Sequence, residues 1–161
     1  MSATVDRLDA QIVRLFADSP RVGVLEASRR LGVARGTVQA RLDRLHRLGV
    51  VRGWGPELNP EALGYPVMAF ATMEIRQGAG HDVVAAHLAT IPEVLEAFTI
   101  TGAGDMWCRM VARSNADLQR VIDRAVAFEG IVRTSTVIAL ATQIPHRVQP
   151  LLDDVAATAS E

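Results

Sequence analysis

The sequence predicts an α+β chain of two modules: an N-terminal helix-turn-helix with a short wing, then a ferredoxin-like β-α-β-β-α-β domain. Three observations carry that prediction. Apolar residues recur with a helical period up to Leu48, and a strand-like alternation first sets in at Val67. Glycine or proline punctuates each change of period. Charge divides in the same region: residues 1–52 hold ten arginines against five acids, a net of +5, while the remaining 109 residues hold seven against thirteen, a net of −6.

The 161 residues are 49% apolar and 22% charged, a globular composition that excludes a disordered tail or a collagen-like repeat. The chain is too short for a large enzyme. No apolar run approaches the ~20 residues of a membrane span, and the first residues lack a basic segment followed by an apolar one. A single cysteine, Cys108, closes no intramolecular disulfide, and one Cys with four scattered His offers no zinc cluster. The expectation is a soluble cytoplasmic protein, away from membranes, with no metal and no cofactor.

Taken in order, Leu8, Ile12, Leu15 and Phe16 form the stripe of a first amphipathic helix closed by Ser19-Pro20. Val24, Leu25, Ala27, Ser28 and Leu31 make a short second helix ended by Gly32. In the third, Val38, Leu42, Leu45 and Leu48 form the buried stripe and Gly49 supplies the stop. With about 100° between successive residues, the opposite face carries Gly36, Thr37 and Ala40 early and Arg44 and Arg47 late. Small residues first and arginines later suit a recognition helix that brings its first turns to base edges and its later ones to phosphates. Arg41 sits at the edge of the apolar stripe, where it is either a phosphate contact or an internal salt-bridge partner. Arg29, Arg35, Gln39 and Arg52 complete the candidate DNA-contacting set. The eight arginines from Arg21 to Arg52 face only Glu26 and Asp43, and the absence of lysine makes every cation a guanidinium, suited to bidentate contact with phosphate or guanine. Residues 50–56 read as the wing, with Trp54 packed at the module junction.

The second module opens with a strand over residues 67–75, ended by Gln77-Gly78-Ala79-Gly80. A helix over 81–91 stops at Pro92. Strands over 94–101 and 106–112 are joined by Gly102-Ala103-Gly104-Asp105, a hairpin loop. Asn115 is the expected cap of a helix with Leu118, Val121, Ile122 and Ala125 inward, and after Gly130 comes a last strand over 132–141. Helices cover one face of such a sheet. The other, carrying Met68, Phe70, Trp107 and Val111 or the alternate set, needs a cover, most simply a second subunit. The expected boundaries are 1–53 for the reader, 54–66 for a linker, 67–152 for the second domain and 153–161 for a flexible tail.

In this order and spacing the residues resemble the Lrp/AsnC family of leucine-responsive, or feast/famine, transcriptional regulators over about residues 5–152. Asp6-Arg7-Leu8-Asp9-Ala10-Gln11-Ile12 matches the family's first helix, and Thr37 through Val51 its recognition helix and exit. Leu63-Gly64 matches the linker, Gly102-Ala103-Gly104-Asp105 the effector loop, and Gly130-Ile131 with Thr136 the approach to the last strand. The resemblance implies an N-terminal domain that binds double-stranded DNA. It also implies a C-terminal domain that forms homodimers, assembles them into tetramers or octamers, and binds an amino acid or related small molecule between subunits. Carried over residue by residue, Gly102, Ala103, Gly104 and Asp105 line that effector site, with Thr134, Thr136 and Ile138 from the last strand. Loop N–H groups suit a carboxylate and Asp105 an ammonium. By themselves, the same residues equally suit a tight turn, with glycines at positive φ and Asp105 satisfying amides. The family usually has Ser where this chain has Ala34, which removes an N-cap ahead of the recognition helix and leaves Arg35 to take the phosphate contact.

The resulting expectation is a sequence-specific DNA-binding transcriptional regulator, not an enzyme, with an amino-acid effector. The alternatives are an architectural DNA-binding protein without effector, or an enzyme resembling siroheme decarboxylases that draws on His46, His81, His87, His146 and Arg109.

Overall fold

The computed structural model describes residues 5–158. The chain forms two compact units: the residues up to Pro56 together with those from Ile144 onward, and Glu57–Gln143.

The first unit begins with a reciprocal capping box. Asp6 Oδ1 accepts from the Asp9 N–H at 2.9 Å and Asp9 Oδ2 accepts from the Asp6 N–H at 3.0 Å, starting α1 (Arg7–Asp18). Helix α2 (Val24–Leu31) ends on Gly32, whose φ of 68° turns its N–H and that of Val33 back toward the carbonyls of Arg29 and Ser28. Helix α3 (Arg35–Arg47) follows after two residues, and Ala34 provides no side-chain cap. Ile12, Phe16, Ala27, Val38 and Leu42 form the core that joins the three helices. Leu48 departs from the expected stripe and is 47% exposed, because α3 stops at Arg47 and Gly49, at φ 73°, redirects the chain. Residues 50–56 form no strand, so the expected wing is an irregular segment, pinned where the Trp54 ring tilts against Phe16 with centres 5.3 Å apart.

The same unit corrects the expected boundaries. Residues 153–158 are helical and belong to α6 (Gln149–Thr158), not to a frayed tail. Val148, Leu151, Leu152 and Val155 recur at helical spacing and line an apolar cavity of about 400 Å³ with Val5, Val13 and Val50. Ala156 is buried, and Asp153 pairs with Arg14 of α1 at 2.6 Å. The tail residues 159–161 lie outside the described residues. The first unit is therefore discontinuous in sequence, built from two separate stretches of the chain.

In the second unit, β1 (Val67–Ile75), α4 (His81–Leu88), β2 (Val94–Thr99), β3 (Met106–Ala112), α5 (Asn115–Val126) and β4 (Ile131–Ile138) follow the expected β-α-β-β-α-β order. The sheet is antiparallel in the order β2-β3-β1-β4. One face, with Ala69, Ala71 and Met73 of β1 and Met106, Cys108 and Met110 of β3, packs on Val84 and Leu88 of α4 and Leu118, Val121 and Ala125 of α5. Small alanines on the central strand let the helices approach closely. The cap of α5 is Ser114 rather than Asn115: its Oγ accepts from the Asp117 N–H at 3.1 Å. His87 ties α4 to α5, with Nε2 3.0 Å from the Arg124 carbonyl and its ring stacked on Phe128. Burial pushes the Cys108 thiol up to about 11, a rise the hydrogen bond with the Ala71 backbone only partly offsets. On the other face Phe70 stacks on Trp107 at 5.1 Å and Phe98 tilts against it at 5.8 Å, so the outward set is the one containing Phe70 and Trp107.

Candidate nucleic-acid interface and effector site

The arginines of the first unit fall into two groups. Arg41 and Arg44 turn inward to Asp9, which is fully buried on α1. Arg41 Nη1 donates to Asp9 Oδ1 at 2.9 Å and to Asp6 Oδ2 at 2.5 Å, while Arg44 Nη2 donates to Asp9 Oδ2. A carboxylate taken out of water needs such partners, and two guanidiniums fill both its oxygens. Burial alone would raise the Asp6 carboxyl, but the Arg41 hydrogen bond and the Asp9 N–H outweigh it and hold Asp6 below the usual carboxylate range. Arg30 pairs with Glu26 on its own helix at 2.9 Å. By contrast, Arg29, Arg35, Arg47 and Arg52 are exposed and have no ion-pair partner among the described residues.

Gly36, Thr37, Gln39 and Ala40 are exposed on the first two turns of α3. A Cβ added at Gly36 would meet nothing within 4 Å, so no contact inside the chain requires glycine there. Its effect is to leave the start of the helix bare, at a cost in helix propensity of about 1 kcal/mol relative to alanine. Gln39 donates to Asp43 Oδ1 at 2.8 Å one turn later.

In the second unit the hairpin between β2 and β3 is tied to β1. The Asp105 N–H donates to the Met73 carbonyl at 2.9 Å, the Asp105 carbonyl accepts from Ile100 at 3.0 Å, and Asp105 Oδ2 accepts from the Ile75 N–H at 2.7 Å. The last bond has a clear cause. Register between β1 and β4 slips between Glu74 and Ile75, and a bulge of this kind takes strand amides out of the ladder. The two loop glycines differ in purpose. Gly102 adopts φ 106°, whereas Gly104 is needed for space, since a Cβ there would lie 2.5 Å from Thr72 Cγ2 and 3.2 Å from the Met73 carbonyl oxygen. Beside the loop lies a cavity of about 290 Å³ lined by Thr72, Glu74, Ala103, Arg133 and Ser135.

Comparison with known proteins decides the family. Residues 5–46 match the AsnC-type helix-turn-helix domain and residues 68–149 the Lrp/AsnC ligand binding domain. The chain belongs to the Lrp/AsnC family of transcriptional regulators. Among Lrp/AsnC relatives, the HTH-type transcriptional regulator FL11 of Pyrococcus furiosus is 31% identical over 140 residues, 87% of this chain and 92% of that one. Regulatory protein AsnC of Escherichia coli is 27% identical over 147 residues, 91% and 97% of the two chains. The structure of Escherichia coli AsnC superimposes with a TM-score of 0.84 at 26% identity, covering 92% of this chain and all of that one. A transcriptional regulator of Neisseria meningitidis, in complex with L-methionine, superimposes with a TM-score of 0.79 at 26% identity, covering 91% and 96%.

In this Lrp/AsnC chain, two groups of expected site residues stand on inward-facing surfaces. Arg41 and Arg44 serve the α1–α3 contact through Asp9, and the open alternative for Arg41 resolves to the internal salt bridge. Thr134, Thr136 and Ile138 pair with Met73, Ala71 and Ala69, which puts them on the helix-covered side of β4, while the cavity beside the loop takes the alternate residues Arg133 and Ser135. Sequence reasoning missed Asp9, although its spacing to Ile12 and Phe16 places it on the buried stripe of α1. It also missed the pair of Glu74 with Arg133, which becomes visible only once the register of β1 and β4 is known. Of the histidines in the enzyme alternative, His46 Nδ1 lies 3.1 Å from the Val51 carbonyl and His87 Nε2 3.0 Å from the Arg124 carbonyl.

Proposed function

We propose that this Lrp/AsnC regulator reads double-stranded DNA with the outward face of α3. Gly36, Thr37, Gln39 and Ala40 stand at base edges, and Arg29, Arg35, Arg47 and Arg52 reach phosphates. The observation that carries this reading is the contrast between the guanidiniums of this group, exposed and without an ion-pair partner among the described residues, and the inward pair on Asp9. It acts in the cytoplasm as a homodimer or a higher oligomer, with a second copy covering the aromatic sheet face of Phe70, Phe98 and Trp107. Its small-molecule effector is an amino acid bound at the hairpin Gly102, Ala103, Gly104 and Asp105 and the adjoining ends of β1 and β4. No catalytic step is assigned, and no cofactor is required.

Fluorescence anisotropy with the full chain and the promoter upstream of its own gene tests the reading. Affinity should fall linearly on a double-logarithmic salt plot, with a slope of about −0.9 for each phosphate contacted. Four arginines predict a contribution near four per protomer. Binding that ignores salt, or no preference for the promoter over unrelated duplex, overturns sequence-specific recognition by this face.

A further inference from the structure

The cavity beside the hairpin carries two opposite charges that the fold does not need. Glu74 and Arg133 stand directly opposite each other on β1 and β4. Their charged atoms are 3.9 Å apart, and the side chains are 49% and 76% exposed. An exposed pair held that loosely contributes little to stability and exchanges partners easily. Thr72 and Ser135 form the next cross-strand pair on the same face, and Ala103 of the hairpin closes one side. Asp105 is differently placed. Its Oδ2 is taken by the Ile75 amide, and its backbone N–H and carbonyl are both bonded to neighbouring strand ends.

We propose that this cavity holds the effector as a zwitterion, with its carboxylate on Arg133 and its ammonium on Glu74, and that it selects an α-amino acid with a polar side chain. The inference rests on the effector reading above and names the residues and ligand class of that site. An α-amino acid carries its two charges one carbon apart and so needs two opposite charges close together, which Glu74 and Arg133 supply. Guanidinium on carboxylate is the stronger half because it can be bidentate. Size suits a small ligand: 290 Å³ lies just below the clefts of drug-sized ligands, which run from about 300 to 1,000 Å³. The cavity's only methyl groups are those of Ala103 and Thr72, and the lining has no valine, leucine, isoleucine or aromatic residue. A leucine or methionine side chain would therefore gain little burial, whereas a hydroxyl or amide finds Thr72 and Ser135. Asp105 is a positioning residue that holds the hairpin, and with it Ala103, against β1.

Calorimetry on the full chain tests this with serine, asparagine, glutamine, leucine and methionine, and with ethanolamine and lactate as probes lacking the carboxylate or the ammonium. Serine, asparagine or glutamine should bind at least tenfold more tightly than leucine, methionine or either truncated probe. Arg133→Gln and Glu74→Gln, on the sheet face assigned to the second copy, should each weaken binding tenfold or more with the circular dichroism spectrum and the oligomeric state unchanged. Arg120→Gln removes an exposed cation on α5, outside the cavity lining, and should stay within about threefold of wild type. Leucine or methionine binding as tightly as the polar amino acids overturns the selectivity. Binding that survives both Arg133→Gln and Glu74→Gln, or is weakened as much by Arg120→Gln, overturns the charge assignment. If no amino acid binds the wild type, the effector reading itself falls along with the inference.

Discussion

Replacing Asp9 by alanine removes the carboxylate that joins α1 to α3. Asp9 is fully buried and accepts from Arg41 at 2.9 Å, from Arg44, and from the Asp6 N–H at 3.0 Å. Breaking a buried ion pair from one side costs ~3–5 kcal/mol, because the remaining charge is left without compensation. Here the guanidinium side chains keep 27% and 35% of their exposure and Arg41 retains Asp6, so the loss should fall near the low end, about 3 kcal/mol. For a folding unit of this size, ~1 kcal/mol shifts the midpoint by about 4–8 °C, so a drop on the order of 12–24 °C is expected. Differential scanning calorimetry of the full chain reads it, and the indole emission of Trp54, which lies against Phe16, reports on the reader. Asp9→Asn keeps one acceptor oxygen but sets its NH2 against donors that the other oxygen served, so it should also be destabilising. Since the pair is buried, the deficit should persist in ~1 M salt, where the Debye length is about 3 Å. A loss below about 0.5 kcal/mol, or one that disappears in high salt, would show that this is an ordinary surface pair.

Four further outcomes follow from the same geometry. In salt titrations of DNA binding, Arg35→Gln or Arg47→Gln should each lower the slope by about 0.9, whereas Arg41→Gln should leave the slope near wild type and lower the midpoint of unfolding instead. Gly36→Ala should raise reader stability by about 0.5–1 kcal/mol in urea unfolding and weaken promoter binding, since the new methyl meets nothing in the chain but stands on the DNA-facing turn. Gly104→Ala, whose Cβ would crowd Thr72 and the Met73 carbonyl, should destabilise the second unit by about 1–3 kcal/mol in the same experiment. Folded Asp6 lies below its ordinary range, so its contribution is fully present above an unfolded value of about 3.9 and is lost as pH falls through the lower folded value. The midpoint measured from pH 7 down to pH 2 should show that loss only at the acid end, and Asp6→Asn should flatten it.

Local order was legible from one dimension. The stripes at Ile12 and Phe16 and at Val38, Leu42 and Leu45, the stop at Gly32 and the alternation through Ala69, Ala71 and Met73 all place elements where the structure has them, because burial periodicity is a property of neighbouring residues. The family motifs added the order of the modules. Pairings between distant residues were decided by tertiary structure. On a helical wheel Arg44 looks like an outward cation and Arg41 sits at the edge of the apolar stripe, and only the packing of α1 against α3 brings a buried carboxylate 32 and 35 residues away into their reach. Residues 153–161 are expected from sequence as a flexible tail, and that Val148 to Val155 instead closes the first unit beside Val5 and Val13 depends on the path of the chain. On β4, the residues that face the cavity were settled by strand register, since a shift of one residue exchanges Thr134 and Thr136 for Arg133 and Ser135.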